Sequence, residues 1–259
     1  MFKKLTIAAA FLAATAFGAQ AEEKLSGAHS AGHGAGSYLY AGGAYAHSWS
    51  DIDTGGFNTA GAFTNFDCVG VVGLLTCDDS EDASGVSLFL GVTNIYSFTE
   101  NVSVRGEIEY NYRGGANYVT GSFPGINPPA FVYSTVVSDY HSGFVNVYLD
   151  MAMPDMPVTI YAVGGVGVAN SRVATNDTVV AGSASETDFA FNIGAGGSYA
   201  VTDMIDLFGD VRYVDLGTTN VPLFAGAVPA GAYTVDHTSV EVRVGVKVKL
   251  SDLGNLFGN

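Results

Sequence analysis

The stretch VEVRVGVKVKL at residues 240–250 is the most informative part of this chain for its fold. An aliphatic residue occupies every even position, and a charged residue or glycine occupies every odd one. Because successive side chains of a β-strand point to opposite faces, the segment has one wholly apolar face and one charged face. A soluble sheet would bury the valines, whereas a membrane barrel turns them towards lipid and its charges towards a polar lumen.

The composition favours many strands over membrane-spanning helices. Hydrophobic residues make up 48% of the 259 residues and charged residues only 14%, with 34 glycines and 14 tyrosines. After the N-terminal segment, no stretch stays apolar for the roughly 20 residues that a spanning helix needs. The formal net charge of -15 argues against a nucleic-acid partner, because phosphate binding needs basic patches, so we predict none. No Walker-type loop is present, and we predict no cofactor.

The first residues have the features of an export signal. Lys3 and Lys4 precede an apolar run at residues 5–19, which ends in the small-residue site Ala19-Gln20-Ala21. The run is shorter than the roughly 20 apolar residues of a transmembrane anchor, which is the alternative interpretation. We therefore predict a signal peptide at 1–21, export through the general secretion pathway and a flexible periplasmic segment at 22–36. A barrel at 37–250 and a tail at 251–259 follow.

Eight segments alternate between apolar and polar residues. They cover residues 37–50, 83–96, 102–114, 138–153, 158–174, 187–201, 205–218 and 238–250. Each is at least as long as the roughly 9–11 residues of a tilted transmembrane strand. Short connections at 97–101, 154–157 and 202–204 alternate with long ones at 51–82, 115–137, 175–186 and 219–237. We therefore predict an all-β fold, an eight-stranded antiparallel transmembrane β-barrel with short periplasmic turns and four long extracellular loops.

Charged residues are concentrated on the faces predicted to line the lumen. Six of the seven Lys and Arg residues after Gly36 fall there, together with six acids. This lumen charge network comprises Arg105, Glu107, Glu109, Arg113, Asp150, Asp206, Asp210, Arg212, Glu241, Arg243, Lys247 and Lys249. Eight strands leave an interior just wide enough for side chains, so we expect these charges to pair and fill the lumen. A small-solute outer-membrane channel is the alternative, against which such pairing argues.

Three segments resemble successive strands of the small outer-membrane barrel proteins related to opacity proteins and bacterial surface antigens. They are PVTIYAVGGVG at 157–167, FAFNIGAGGSY at 189–199 and DVRYVDLG at 210–217. The resemblance implies a non-enzymatic, eight-stranded barrel in the Gram-negative outer membrane that serves as a surface antigen, adhesin or envelope-stabilising protein. It also implies outer-membrane lipids, lipopolysaccharide and the barrel-assembly machinery as partners. The family's last strand usually ends the chain on an aromatic residue, whereas here Leu250 is followed by nine residues.

The first long loop contains the chain's two cysteines, Cys68 and Cys77. An exported chain folds in an oxidising compartment, so we predict a disulfide between them. The closed segment would present aliphatic residues to a ligand on a host or neighbouring cell. These possible contact residues are Val71, Val72, Leu74 and Leu75. The alternative is that they pack on the barrel rim and the disulfide only constrains the loop.

The same loop is acidic and contains no Lys or Arg. Its acids are Asp51, Asp53, Asp67, Asp78, Asp79, Glu81 and Asp82. The favoured interpretation is a solvated acidic face. Residues 51–56 begin like a calcium loop, but Gly55 and Ala62 stand where such a loop has acids, so we predict no metal site. The alternative is a weak divalent-ion site that bridges the loop to anionic lipopolysaccharide.

An enzymatic alternative rests on His237, Ser239 and Glu241, which share one face of the last strand. A Ser-His-acid set could hydrolyse the acyl chains of lipid A or a phospholipid if the serine were accessible to lipid. The neighbouring valines instead turn all three residues towards the lumen. We therefore predict that the protein is not an enzyme.

Overall fold

A computed structural model describes residues 37–58, 61–64, 80–122, 131–176 and 180–252. The strands are β1 (Tyr38–Asn58), β2 (Gly61–Thr64), β3 (Ser80–Ser97), β4 (Val102–Ser122), β5 (Phe131–Ala152), β6 (Val158–Asn176), β7 (Ala181–Ala200), β8 (Ile205–Ala225) and β9 (Val228–Asp252). Among these residues, no helix is long and apolar enough to cross a membrane. The predicted signal peptide at 1–21, the segment at 22–36 and tail residues 253–259 lie outside the described ranges.

Within the described ranges, eight strands form one closed antiparallel ring. β1 and β3 to β9 pair in that order, and β9 pairs back onto β1 from Tyr38 opposite Asp252 to Asn58 opposite Gly231. The short strand β2 pairs only with the outer end of β1. Short turns connect β3 to β4, β5 to β6 and β7 to β8 at one end of the ring. The predicted eight-stranded antiparallel barrel is therefore confirmed.

The outer ends of the strands are longer than predicted. Residues 116–122 of β4 pair with residues 131–137 of β5, which lie inside a predicted loop. Likewise β8 and β9 pair up to Ala225 opposite Val228, so the connection between them is the turn at Gly226 and Ala227. Gly226 has a φ of 64°, a value that glycine adopts without a Cβ penalty. The prediction of a loop at 219–237 is therefore wrong except at this turn, because residues 219–225 and 228–237 are strand.

Two bands of exposed aromatic residues mark the membrane boundaries. Tyr96, Phe98 and Tyr199 lie next to the short turns, and Trp49, Tyr112 and Phe189 form the band farther along the strands. On β7 the two bands are ten residues apart, from Tyr199 to Phe189, which matches the roughly 9–11 residues of a tilted membrane-spanning strand. We call the strand ends beyond Trp49, Tyr112 and Phe189 the extracellular extension. It comprises residues 50–58, 80–82, 113–122, 131–140, 170–176, 180–188, 216–225 and 228–239.

The polarity of the strands inverts at the outer aromatic band. Between the bands, β9 exposes valines such as Val244 to the outside and directs Arg243 inwards. Beyond the outer band, Val235 is buried inside the barrel, while the outward-facing Asp236 is exposed. The physical reason is the surroundings, because a face against lipid must be apolar whereas a face against water need not be. The membrane pattern, which expects an apolar outer face, therefore predicts loops where these segments form strands.

Candidate functional site

The lumen between the aromatic bands is filled by a buried ion-pair network centred on Glu109. One carboxylate oxygen of Glu109 accepts a hydrogen bond from Arg212 at 3.0 Å, and the other accepts one from Arg243 at 2.5 Å. Asp210 lies 3.2 Å from Arg212 Nε and 3.3 Å from Arg243 Nε. Each of these four side chains is at most 5% exposed. An unpaired buried charge costs about 3–5 kcal/mol. The two arginines and the two carboxylates therefore have to neutralise one another.

The network continues on both sides of this centre. On the outer side, Arg113 binds Glu241 with two nitrogens and donates to Ser142 at 2.8 Å. On the periplasmic side, Arg105 donates to Asp150 at 2.9 Å and lies 3.4 Å from Glu107. The hydroxyls of two buried tyrosines complete this layer, since Tyr40 and Tyr148 both donate to the Glu107 carboxylate.

The periplasmic mouth of the barrel holds a cavity of about 630 Å³. Lys247 lies 3.7 Å from Asp206 there, and the Lys249 ammonium lies 4.4 Å from the centre of the Tyr38 ring. The inner end of the cavity is formed by Arg105 and its partners. The structure thus places all twelve predicted network residues at inward-facing positions and joins most of them into one chain of contacts.

The extracellular extension closes the lumen a second time, with apolar side chains. Tyr118, Val173, Val221 and Val235 have no exposed surface, and they belong to one cluster that continues down to Phe144. Sequence reasoning missed this core. The sequence does contain a sign of these strands, because apolar residues alternate there. Val221 and Leu223 lie two positions apart, as do Tyr233 and Val235, but the prediction of a loop at 219–237 does not use this spacing.

His237 lies where the ionic and apolar parts of the lumen meet. Its side chain is 1% exposed, and its Nδ1 lies 2.8 Å from the hydroxyl of Tyr140. It lies in the extension, outside the membrane-spanning segments, and burial lowers the pKa of His237 to about 4. The imidazole is therefore neutral at physiological pH.

The structure does not assemble the Ser-His-acid set that the sequence spacing suggested. Ser239 donates to Glu241 at 3.4 Å and is only 4% exposed inside the barrel. Glu241 is engaged by Arg113, and His237 bonds to Tyr140, not to the serine. A nucleophile needs both a free adjacent base and access to its substrate. The one carboxylate that Ser239 contacts among the described residues is ion-paired with Arg113, and the serine is buried away from lipid.

The wall of the extension has a seam between β7 and β8. Backbone pairing stops at Phe191 opposite Asp215 and returns only at Ala181 opposite Phe224. In between, two carboxylates of β7 accept hydrogen bonds from backbone N–H groups of β8. Asp188 accepts from Thr218 at 2.9 Å, and Glu186 accepts from Asn220 at 2.7 Å. The hydrogen bonds from Thr218 and Phe189 lower the pKa of Asp188.

Several predicted loop features lie outside the described residues. These are the disulfide of Cys68 and Cys77, the contact residues Val71, Val72, Leu74 and Leu75, and the acids Asp67, Asp78 and Asp79. Asp51 and Asp53 are described, and they lie in β1 opposite Thr238 and Asp236. They are therefore part of a strand, and the described residues contain no cluster of three metal-ligating side chains.

Three solved structures are among those similar to this chain. Neisserial surface protein A is 17% identical, with 83% of this chain and 99% of that chain covered and a TM-score of 0.44. OprG from Pseudomonas aeruginosa is also 17% identical, with coverages of 85% and 98% and a TM-score of 0.43. Ail, the attachment invasion locus protein of Yersinia pestis, is 12% identical, with coverages of 80% and 99% and a TM-score of 0.32.

Among curated protein sequences, none matches this chain. A family model described as an outer membrane protein beta-barrel domain matches residues 7–247. The matched range includes every strand of the closed ring except the last residues of β9. The chain therefore belongs to the family of outer membrane protein β-barrel domains.

Proposed function

We propose that this protein is a closed, non-enzymatic barrel that carries a rigid β-structured extension and presents its loop tips to a ligand on another cell. The observation that carries this proposal is the double closure of the lumen. The Glu109 network fills the membrane level, and the Tyr118 and Val235 cluster fills the extension above it. Solutes have no open path through the described part of a barrel that is closed at two levels. Such a barrel is suited to supporting the extracellular loops that contact a ligand.

The length of the extension supports a presenting role. β9 continues for twelve residues beyond the outer aromatic band, from residue 239 to residue 228. At about 3.3 Å per residue and with a tilt of roughly 40°, this places the β8–β9 turn roughly 30 Å beyond the band. Burial of apolar side chains inside the extension keeps it from behaving as a set of independent loops. The β8–β9 turn therefore stands clear of the lipid surface.

The competing function is a small-solute channel, and one observation favours it. The cavity at the periplasmic mouth, lined by Asp150, Asp206 and Lys247, could admit a small polar solute. Passage beyond it would require Arg105 to leave both Asp150 and Glu107. We therefore rank the channel below the presenting role. Acyl hydrolysis ranks lower still, because Ser239 is buried away from lipid.

An adhesion assay tests the presenting role. Bacteria that lack other adhesins are made to display the protein, and their attachment to cultured epithelial cells is counted. We expect replacement of Val71, Val72, Leu74 and Leu75 by serine to lower attachment at least several-fold, as expected for removing a buried apolar contact. The matched control replaces Phe224 and Val228, which are exposed apolar residues beside the β8–β9 turn. Equal attachment by all three strains would contradict the proposed contact.

A further inference from the structure

The cavity at the periplasmic mouth takes no part in the proposed presentation of the loops. Its volume of about 630 Å³ lies within the roughly 300–1,000 Å³ that is typical of small-molecule sites. Arg105, paired with Asp150 and Glu107, forms its inner end, so the described residues close the cavity towards the lumen. A solute that enters from the periplasm is therefore held in a blind pocket and does not have to cross the barrel.

Two serine hydroxyls in the wall of this cavity have unused hydrogen-bonding capacity. Ser198 lines the cavity from β7 and is only 8% exposed, and Ser103 lines it from β4. Neither hydroxyl forms a hydrogen bond with a described residue. Because a buried hydroxyl is unfavourable without a partner, the cavity favours an occupant that both donates and accepts hydrogen bonds.

The ammonium group of Lys247 on β9 also has donors to spare. Only 12% of this side chain is exposed, and its ion pair with Asp206 is 3.7 Å long, which exceeds the length of a hydrogen bond. An ammonium group has three N–H donors. Lys247 therefore retains donors for an occupant, and the neighbouring carboxylate of Asp206 can accept a hydrogen bond from the same molecule.

The charges that line the cavity nearly cancel, which restricts the class of ligand. Lys247 on β9 and Asp150 on β5 lie on opposite sides of the ring of eight strands. An anion would meet carboxylates and a cation would meet ammonium groups, whereas a neutral molecule is repelled by neither. An uncharged sugar has the required character, because each of its hydroxyls both donates and accepts. The lining has three cations and four acids, namely Arg105, Lys247, Lys249, Glu100, Asp150, Asp203 and Asp206.

We propose that the periplasmic mouth of the barrel binds an uncharged sugar of one or two rings. In this site the hydroxyls of Ser103 and Ser198 exchange hydrogen bonds with the sugar, Lys247 donates to one of its oxygens and Asp206 accepts from one of its hydroxyls. Each of these bonds replaces a bond to water, so we expect a dissociation constant of about 1 mM. The site faces the periplasm and is independent of whatever the loop tips contact.

NMR titration of the refolded protein with maltose tests this site, in dodecylphosphocholine micelles because that detergent contains no sugar. We expect the amide signals of Ser103 and Ser198 to shift and saturate, while that of Thr218 in the extension stays in place. Replacing Ser103 and Ser198 together by alanine should weaken maltose binding about tenfold, since two hydrogen bonds are lost. The matched control replaces Ser183 and Ser185 by alanine, which removes two exposed hydroxyls from the outer wall of β7 and should leave binding unchanged.

Three further ligands, titrated into the wild type, test the cavity and the class of ligand without any substitution. β-Cyclodextrin contains the glucose units of maltose in a ring too wide to enter an eight-stranded barrel, so it should shift none of these amides. Gluconate, an anion, and glycylglycine, a zwitterion, should bind at least several-fold more weakly than maltose. Equal or tighter binding of either would overturn the neutral class. Equal maltose binding by the wild type and the Ser103 and Ser198 variant, or the same shifts with β-cyclodextrin, would overturn the site.

Discussion

The membrane-spanning segments and the extracellular extension use the same strands in opposite ways. Between the aromatic bands, Val244 faces lipid and Arg243 faces a lumen filled with charge pairs. In the extension, Val235 faces the interior and Asp236 faces water. The comparison shows that alternation specifies a strand, whereas the solvent on the outside decides which face is apolar. The interior is closed in both regions, by charge neutralisation in one and by apolar packing in the other.

The largest expected effect comes from breaking the ion-pair network of the membrane-spanning segments. Glu109→Ala leaves Arg212 and Arg243 buried without a shared carboxylate, so we expect a loss of about 3–5 kcal/mol in the free energy of unfolding. Urea unfolding in lipid vesicles, followed by the fluorescence of Trp49, measures it. Asp206→Asn is the control, since Asp206 is partly exposed beside Lys247 and should cost at most about 1 kcal/mol. Equal losses in the two variants would contradict the ranking.

In the extracellular extension, the loss of side-chain volume from the apolar core should lower the free energy of unfolding. Leu223 is 1% exposed within the extension core, so Leu223→Ala should cost about 2–4 kcal/mol. Its neighbour Phe224 is 41% exposed, and Phe224→Ala should change stability by at most about 1 kcal/mol. The same unfolding assay applies to both variants. A smaller effect at Leu223 than at Phe224 would show that the extension is not packed as described.

The stability of the barrel should depend on pH through His237, which lies where the ion-pair network meets the apolar core of the extension. Its pKa falls from 6.5 in the unfolded chain to about 4 in the barrel, so the unfolded state binds the additional proton. The stabilisation is fully present above about pH 6.5 and is lost as the pH falls to about 4, by roughly 3 kcal/mol at most. Unfolding curves between pH 7 and pH 4 measure it. His237→Phe should flatten this part of the profile, and an unchanged slope would refute the assignment.

The smallest effect is expected at the seam. Asp188→Ala removes the acceptor of the Thr218 N–H group, so that amide should exchange its hydrogen faster with solvent. Asp188→Asn keeps an acceptor oxygen and should retain most of the protection. Hydrogen exchange measured residue by residue by NMR in micelles gives the comparison, with the Val211 amide as an internal reference within the paired part of β8. No change at Thr218 in Asp188→Ala would remove the bridging role.

The sequence predicted the barrel but not the extension, for one physical reason. The alternation around Arg105, Arg212 and Arg243 is strict because a charge facing lipid is expensive, so both strand and facing can be read there. Beyond the outer band no such penalty acts, and segments such as 219–225 contain proline and asparagine, which are typical of loops. The inward placement of the charges followed from their spacing. The partners across the lumen, such as Arg113 with Glu241, did not, because they depend on how the ring closes.

Conductance in planar lipid bilayers tests the double closure most directly. The refolded wild type and the Glu109→Ala variant are compared at the same protein density. The wild type should insert without steady current steps, because the ion-pair network and the apolar core both obstruct the lumen. The variant should remain silent as well, since the core of the extension is intact. Regular single-channel openings of the wild type would contradict the closed barrel on which the proposed function rests.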